Sequence, residues 1–360
     1  MTNTPRTFII AEAGVNHNGS IELARNLVDA AVAAKADAVK FQSFIASSIV
    51  TTSAKKAEYQ IAQTGSQESQ LEMLQRLELS HAQQRELFEY CKTNEIEFLS
   101  TPFDSQSLQF LVSDLELSII KIGSGELTNA PFLLEVARCT DKLILSTGMS
   151  TIDEIELALG VIAFGMTIDK TSKPSIAACK NALSSDAGRH ALRQRVILLH
   201  CTTDYPTSPI DINLRAMVTL REKFDCEVGL SDHSVGTHVA VGAVAMGATV
   251  IEKHLTTSRD LVGPDHKASL EPDEFKILVA NIRDIEIAFG STEKNPTTNE
   301  TKNRQVARRS IVASSPIKLG DIFTTDNISV KRPGTGISPF KYWDLLGTKS
   351  TRDISENELI

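Results

Sequence analysis

Eight short apolar, largely β-branched runs, spaced along the chain by helix-forming stretches, constrain its fold more than any other feature. They cover residues 8–11, 38–41, 97–100, 118–122, 142–145, 196–199, 227–230 and 249–252, with helical patterns such as 21–34 and 272–289 after them. This alternation means βα units and a parallel sheet buried on both faces. Eight units predict a (β/α)8 TIM barrel over residues 1–290. A doubly wound sheet is the alternative, but it calls for a Gly-rich first turn, and no GxGxxG follows the first run.

Two segments fall outside the rhythm. Residues 45–80 make a long excursion after the second run and are placed to cap the barrel mouth. Residues 167–195 make another, with an apolar-periodic piece at 176–183 that predicts an extra helix. The second excursion precedes a strand, so it reads as structural. Residues 291–305 turn polar and read as a linker. Residues 306–360 read as a small β-rich module, with strands in SIVASS, IKLGD and ISVKRPGTG. A module this small buries little core and must lean on another surface.

Composition narrows the function. Lys+Arg number 37 against Asp+Glu 45, a net charge of −8, which weighs against nucleic acid as a partner. The 5 cysteines are dispersed with no CxxC, which fits a reducing cytoplasm better than a disulfide framework. No apolar run approaches the ~18 residues of a membrane span. The opening stretch is short and interrupted by Glu12, so no signal peptide is expected.

In a barrel, functional groups gather at the carboxyl ends of the strands. Every run here ends in polar, chemically capable residues, a pattern that favours an enzyme. Lys40 and Lys121, with Thr101, Ser124, Ser146 and Ser231 and nearby glycines, suit a phosphate plus a carboxylate; structural Lys–Glu pairs are the plainer alternative. His200, His233 and His254 either ligate a divalent cation or hydrogen-bond backbone carbonyls. Glu12, Glu126, Asp232 and Asp265 are the acids near the mouth, with Asp232 alternatively fixing a loop and Glu126 pairing with Lys121.

Taken together, FIIAEAGVNHNGS, VKFQ, STPFD, IKIGSGE, ILSTGM, HCTTDYPT, GLSDHS, IEKHLT and GPDHKASLEP, in this order and followed by VKRPGTG, resemble the sialic acid synthase family with its C-terminal SAF, or antifreeze-like, domain. The resemblance spans nearly the whole chain. It implies condensation of phosphoenolpyruvate (PEP) with an N-acylated amino sugar to a nine-carbon 2-keto acid, with release of phosphate. Lys40, Thr101, Lys121, Ser124, Ser146 and Ser231 match the family's PEP-binding positions. His233 and His254 match its metal ligands, with Mn2+ the expected ion and Mg2+ or Co2+ as substitutes. Glu12 and Glu126 match acids near the reacting atoms, and Gln42, Tyr205 and Asp265 match sugar-side positions. Arg332 matches an arginine that one subunit's tail reaches into the other's site, which implies a domain-swapped homodimer. Thr203 stands where members often carry an amide, and Arg308 where some carry an aromatic. The acceptor stays open between N-acetylmannosamine and a 2,4-diacetamido-trideoxymannose, with a pseudaminate-type acceptor as the alternative. A non-catalytic carbohydrate- or ice-binding protein is the reading from another class; Glu12, Lys40, Lys121, His233 and His254 together argue against it.

Overall fold

The structure, a computed structural model, describes residues 6–360; of the opening stretch read for a signal peptide, residues 1–14, the first five lie outside the described residues. All eight runs are strands: β1 (Phe8–Gly14), β2 (Ala38–Ser43), β3 (Glu97–Pro102), β4 (Ile119–Ile122), β5 (Lys142–Ser146), β6 (Val196–His200), β7 (Glu227–Asp232) and β8 (Val250–His254). Most run further at the carboxyl end than the apolar pattern alone predicts, into the polar residues. Their ladders are parallel in the order β3-β2-β1-β8-β7-β6-β5-β4. β3 packs beside β4 and closes the barrel.

Period-two alternation sorts each strand. One face, including Ile9, Val39, Phe98, Ile120, Leu143, Leu198, Val228 and Ile251, joins the main core beneath the helices. The other face supplies a plug inside the barrel: Ile10, Ala38, Leu99, Ile144, Ile197, Leu199 and Val250, with Ile119 against it. Two residues further along that same face stand Glu12, Lys40, Thr101, Lys121, Ser146, Cys201, Ser231 and Glu252. The layered filling of a barrel therefore changes from aliphatic to ionic in a single step. Gly229 belongs to the plug layer, where a Cβ would lie 2.2 Å from the Val250 carbonyl oxygen and 2.7 Å from Leu199 Cδ2.

The excursions are built from helices. Residues 45–80 contain Ala46–Ile49, Glu58–Thr64 and Gln70–Leu77. Residues 167–195 contain the expected helix, Ile176–Ser184, and a second, Asp186–Arg195, whose polar composition conceals it. They pack against the helix Ile152–Thr167, where a Cβ on Gly160 would lie 3.1 Å from the Cys179 carbonyl. The helix Pro272–Ala288 closes the barrel unit.

The chain divides at Gly290 into two compact units. In the second, β9 (Ser310–Ala313) pairs antiparallel with β10 (Ile328–Lys331) over a small core of Ile311, Ala313, Ile317, Phe323, Ile328 and Ile354. Two expectations need correction. The polar stretch 291–305 is not irregular throughout, because Thr297 and Glu300 form a capping box that starts a helix, Thr298–Ala307. IKLGD is not a regular strand; Ile317 and Ile322 make only single bridges, to Ile354 and Lys349. Among the described residues no helix is long and apolar enough to cross a membrane. Gly229→Ala should destabilise the fold by about 1–3 kcal/mol, because the clash is with backbone; a lower urea midpoint would show it.

Candidate active site

The strand alternation that fills the barrel also brings four charged side chains together above the plug. Lys40 Nζ contacts Glu12 Oε2, lies 3.6 Å from Glu252 Oε2, and donates to Thr101 Oγ1 at 3.1 Å. Lys121 Nζ lies 3.2 Å from Glu252 Oε1, which also accepts from Ser231 Oγ at 2.7 Å. All four are almost fully buried. Burial pushes the Glu12 carboxyl up to about 7, against the pull of Lys40, and the Glu252 charge adds to the rise. Burial opposes ionisation of Glu252 too, but Lys121 and Lys40 outweigh it and hold that carboxyl well below the usual range. Burial also works to lower Lys40, and Glu12 and Glu252 more than offset it, so the ammonium persists. Two lysines thus face one firmly ionised carboxylate and one that titrates near neutrality.

Beside this floor lies a cradle of hydroxyls and backbone. The Gly148 N–H donates to Ser124 Oγ at 3.0 Å, and Cys201 Sγ lies 3.1 Å from the same hydroxyl. A Cβ at Gly148 would fall 2.5 Å from Thr203 Oγ1 and 2.8 Å from Ser124 Oγ, so glycine is required here for close approach. Thr203 Oγ1 is buried without a partner among the described residues. Such a nest of donors beside two ammoniums suits an oxyanion.

The histidines line the same cavity. His233 Nδ1 donates to the Thr202 carbonyl at 2.7 Å, which fixes the tautomer and leaves Nε2 with its lone pair. Ser231 lies 3.3 Å from that Nε2 but gives its one proton to Glu252. His254 Nδ1 is buried, has no hydrogen-bond partner among the described residues, and lies 4.0 Å from Asp265 Oδ2. Burial keeps both imidazoles neutral: it lowers His233 and takes His254 well below its ordinary value, with His233 adding to the second. Burial raises Asp265 to about 6. The two rings lie 5.4 Å apart, and Tyr205 packs on both, 4.2 Å from His233 and 5.7 Å from His254. Two neutral imidazoles with free nitrogens on one wall are a donor set that fits a divalent cation. Among the described residues no group of three or more His, Cys, Asp or Glu forms a metal cage, so water and substrate would complete the coordination.

These groups line one cavity of about 260 Å3. It takes in Lys40, Thr101, Lys121, Ser124, Ser146 and Ser231, all six residues expected to meet an anion. Gln42, Tyr205, Asp265, His233, His254 and Glu12 lie around them. Glu126 is not among its lining residues: the chain leaves β4 into a one-turn helix, Ser124–Glu126, and the carboxylate accepts from Asn129 Nδ2 at 2.7 Å. The acid that pairs with Lys121 is Glu252. Sequence reasoning missed it, although it stands two positions before His254 on the same strand face. His200 is also turned away, donating from Nε2 to the Ile212 carbonyl at 2.6 Å. Asp232 faces the helical layer, where it accepts from Lys253 Nζ at 2.8 Å and from the Ser234 N–H at 2.9 Å. Arg332 lies in the second unit, exposed, its Nε donating to the Ala307 carbonyl at 3.0 Å. The excursion adds Tyr59, Gln60, Met73, Leu74 and Leu77 to the lining.

The pattern of the NeuB family matches residues 27–294, and that of the SAF domain matches residues 308–360. The chain belongs to the NeuB family. This NeuB-family chain is 46% identical to the N,N'-diacetyllegionaminic acid synthase of Campylobacter jejuni, over 99% of both chains. It is 43% identical to the synthase of the same name from Legionella pneumophila, over 97% of this chain and 91% of that one. The N-acetylneuraminic acid (sialic acid) synthetase of Leptospira borgpetersenii, solved in complex with citrate, superposes with a TM-score of 0.66. That match has 31% identity and covers 83% of this chain and 90% of the other.

The NeuB-family barrel pairs the charges of its floor internally, and removing one partner leaves a charge stranded. Glu252→Gln should cost about 3–5 kcal/mol of stability, since Lys121 and Lys40 lose their ionised carboxylate. The unfolding midpoint of the variant should drop by several degrees. Inorganic phosphate should raise that midpoint more in the variant than in wild type, because it replaces the missing counter-charge.

Proposed function

We propose that the protein condenses PEP with an N-acetylated mannosamine-type sugar to a nine-carbon 2-keto acid, and releases phosphate. The observation that carries the reading is the cavity itself. A buried two-lysine anion site and two neutral histidines with free nitrogens sit within one small space. The names of the relatives support the same chemistry, and the two most similar reported above favour 2,4-diacetamido-2,4,6-trideoxymannose as the acceptor.

C3 of PEP attacks the aldehyde carbon of the open-chain sugar, water adds at C2, and the C2–O bond breaks to release phosphate. Lys40 and Lys121, with Thr101, Ser124, Ser146 and Ser231, hold the carboxylate and phosphate. The Gly148–Ser124–Thr203 cradle adds donors where phosphate charge accumulates. Glu12 is the group that takes up the proton from the water. Its ordinary range would leave it too weak a base, and burial raises it to about 7, close to a working pH. Gln42, Tyr205 and Asp265 orient the sugar. A divalent cation held by His233 and His254, Mn2+ in our reading, would supply Lewis-acid polarisation of the aldehyde.

The active form is a cytoplasmic homodimer in which Arg332 of one subunit serves the other's cavity. The barrel mouth supports such a cover, because Met149, Val235 and Val262 expose 71%, 58% and 68% of their surfaces on the loops beyond β5, β7 and β8. Substrates are small molecules, and the acidic composition gives no reason to add nucleic acid.

The test is phosphate release from PEP with Mn2+ and the trideoxy acceptor, with a no-sugar control. Sugar-dependent release is expected; a folded, metal-loaded sample that releases none with any N-acyl amino sugar overturns the proposal. Glu12→Gln should lower turnover by about 10²–10⁴-fold while PEP still raises the unfolding midpoint. His233→Ala should abolish Mn2+ binding seen by electron paramagnetic resonance and leave the circular dichroism spectrum unchanged.

A further inference from the structure

The excursion 45–80 is far longer than a barrel connection requires, and it is firmly held. The Ile45 N–H donates to Asp104 Oδ2 at 2.9 Å and the Ala46 N–H to Glu78 Oε2 at 2.8 Å, which ties down both ends. Its middle is pinned by a buried lysine. Lys56 Nζ donates to Thr64 Oγ1 at 2.9 Å and lies 3.4 Å from Glu68, which also pairs with Arg76 at 3.0 Å. Lys56 is not among the residues that line the cavity, so its burial serves to shape the segment.

What the segment shows to the cavity differs from everything below it. Its lining residues are Tyr59, Gln60, Met73, Leu74 and Leu77, none of them charged. Met73 and Leu77 belong to a satellite apolar cluster with Val15, Phe44 and Ala46, and Leu74 and Phe103 pack against it. The Tyr59 ring lies 5.0 Å from Tyr205, whose other neighbours are His233 and His254. The cavity is therefore ionic at its floor and uncharged along the wall supplied by the excursion, where Met73, Leu74 and Leu77 form an apolar stretch beside Tyr59 and Gln60. A molecule that fits it is polar at its reacting end and carries methyl groups at its distal end. A fully hydroxylated hexosamine seated against Met73 and Leu74 would set its hydroxymethyl group on side chains that offer it no strong hydrogen bond.

We infer that the excursion 45–80 is the acceptor-selecting element. Its apolar wall receives the distal end of a 6-deoxy, 4-acylamino sugar, and Tyr59 and Leu74 are the specificity-determining contacts. This rests on the functional reading above. Lys56, Glu68 and the two anchored ends hold the wall rigid, so selection comes from a preformed surface. An apolar pocket discriminates against an added hydroxyl by about 10–100-fold, not more.

The experiment compares kcat/KM for 2,4-diacetamido-2,4,6-trideoxymannose and N-acetylmannosamine in the full-length, metal-loaded protein. Wild type, Leu74→Asn, Tyr59→Ala and the conservative Leu74→Met are measured side by side. Wild type should prefer the trideoxy sugar by about 10–100-fold. Leu74→Asn and Tyr59→Ala should each shrink that preference at least about 5-fold through the acceptor KM. The KM for PEP should not move, and Leu74→Met should keep the preference. An unchanged preference in both disruptive variants overturns the inference, as does a shift in PEP KM equal to the shift for the sugar. Wild type that turns over but favours N-acetylmannosamine overturns the inference and leaves the reaction intact. Wild type that turns over neither sugar overturns the functional reading, and this inference with it.

Discussion

Four buried charges on four strands decide how this barrel is put together. Glu12 and Lys40 pair across the adjacent β1 and β2, but Lys121 on β4 reaches Glu252 on β8 across the interior, so the set is complete only when the barrel is closed. Replacing such a cluster with aliphatic side chains would often stabilise a protein, because desolvating charges costs more than their attraction returns. The chain instead spends one whole layer of its interior on them and confines its aliphatic packing to the plug beneath. That choice makes sense for a cavity that must accept an anion of high charge density. Lys40 is held ionised by Glu12 and Glu252 against the pull of burial, and burial pushes the Glu12 carboxyl up to about 7.

The barrel was largely legible in the sequence because both of its signals are local. β-branched runs mark the strands, and alternation along each run separates the plug and the ionic layer from the helical core. The same rule puts Glu252 on the face of His254, so that acid was readable in principle. It escapes notice because it is the last residue of the run at 249–252, while candidate groups are sought just beyond each run. Glu126 fails for the converse reason. It follows a strand closely, but the one-turn helix at Ser124–Glu126 ends the alternation and sends the side chain to Asn129.

Other features depend on contacts that no local pattern encodes. The length of the excursion showed that it had a purpose, but not that Tyr59 meets Tyr205. The helix Asp186–Arg195 is too polar to show an apolar stripe, and it stands because it docks on its neighbours. The helix Thr298–Ala307 was betrayed only by its capping residues, in a stretch whose composition suggested a linker. IKLGD has strand-like composition, yet its partners come from the far end of the chain one bridge at a time.

The salt bridge on the outer face of β8 has a meaning of its own. Lys253 is fully buried among helices and held by Asp232, while its sequence neighbours Glu252 and His254 point into the cavity. Three consecutive ionisable residues thus have their partners on alternating sides of one strand. A slip of β8 by one residue would strand the carboxylate and the imidazole in the aliphatic layer, and turn the ammonium into the space between Lys40 and Lys121. Aliphatic strands tolerate sliding because one branched side chain resembles the next. Here the alignment of the strand is written in charge on both of its faces, and a misaligned barrel has no low-energy form in which to persist.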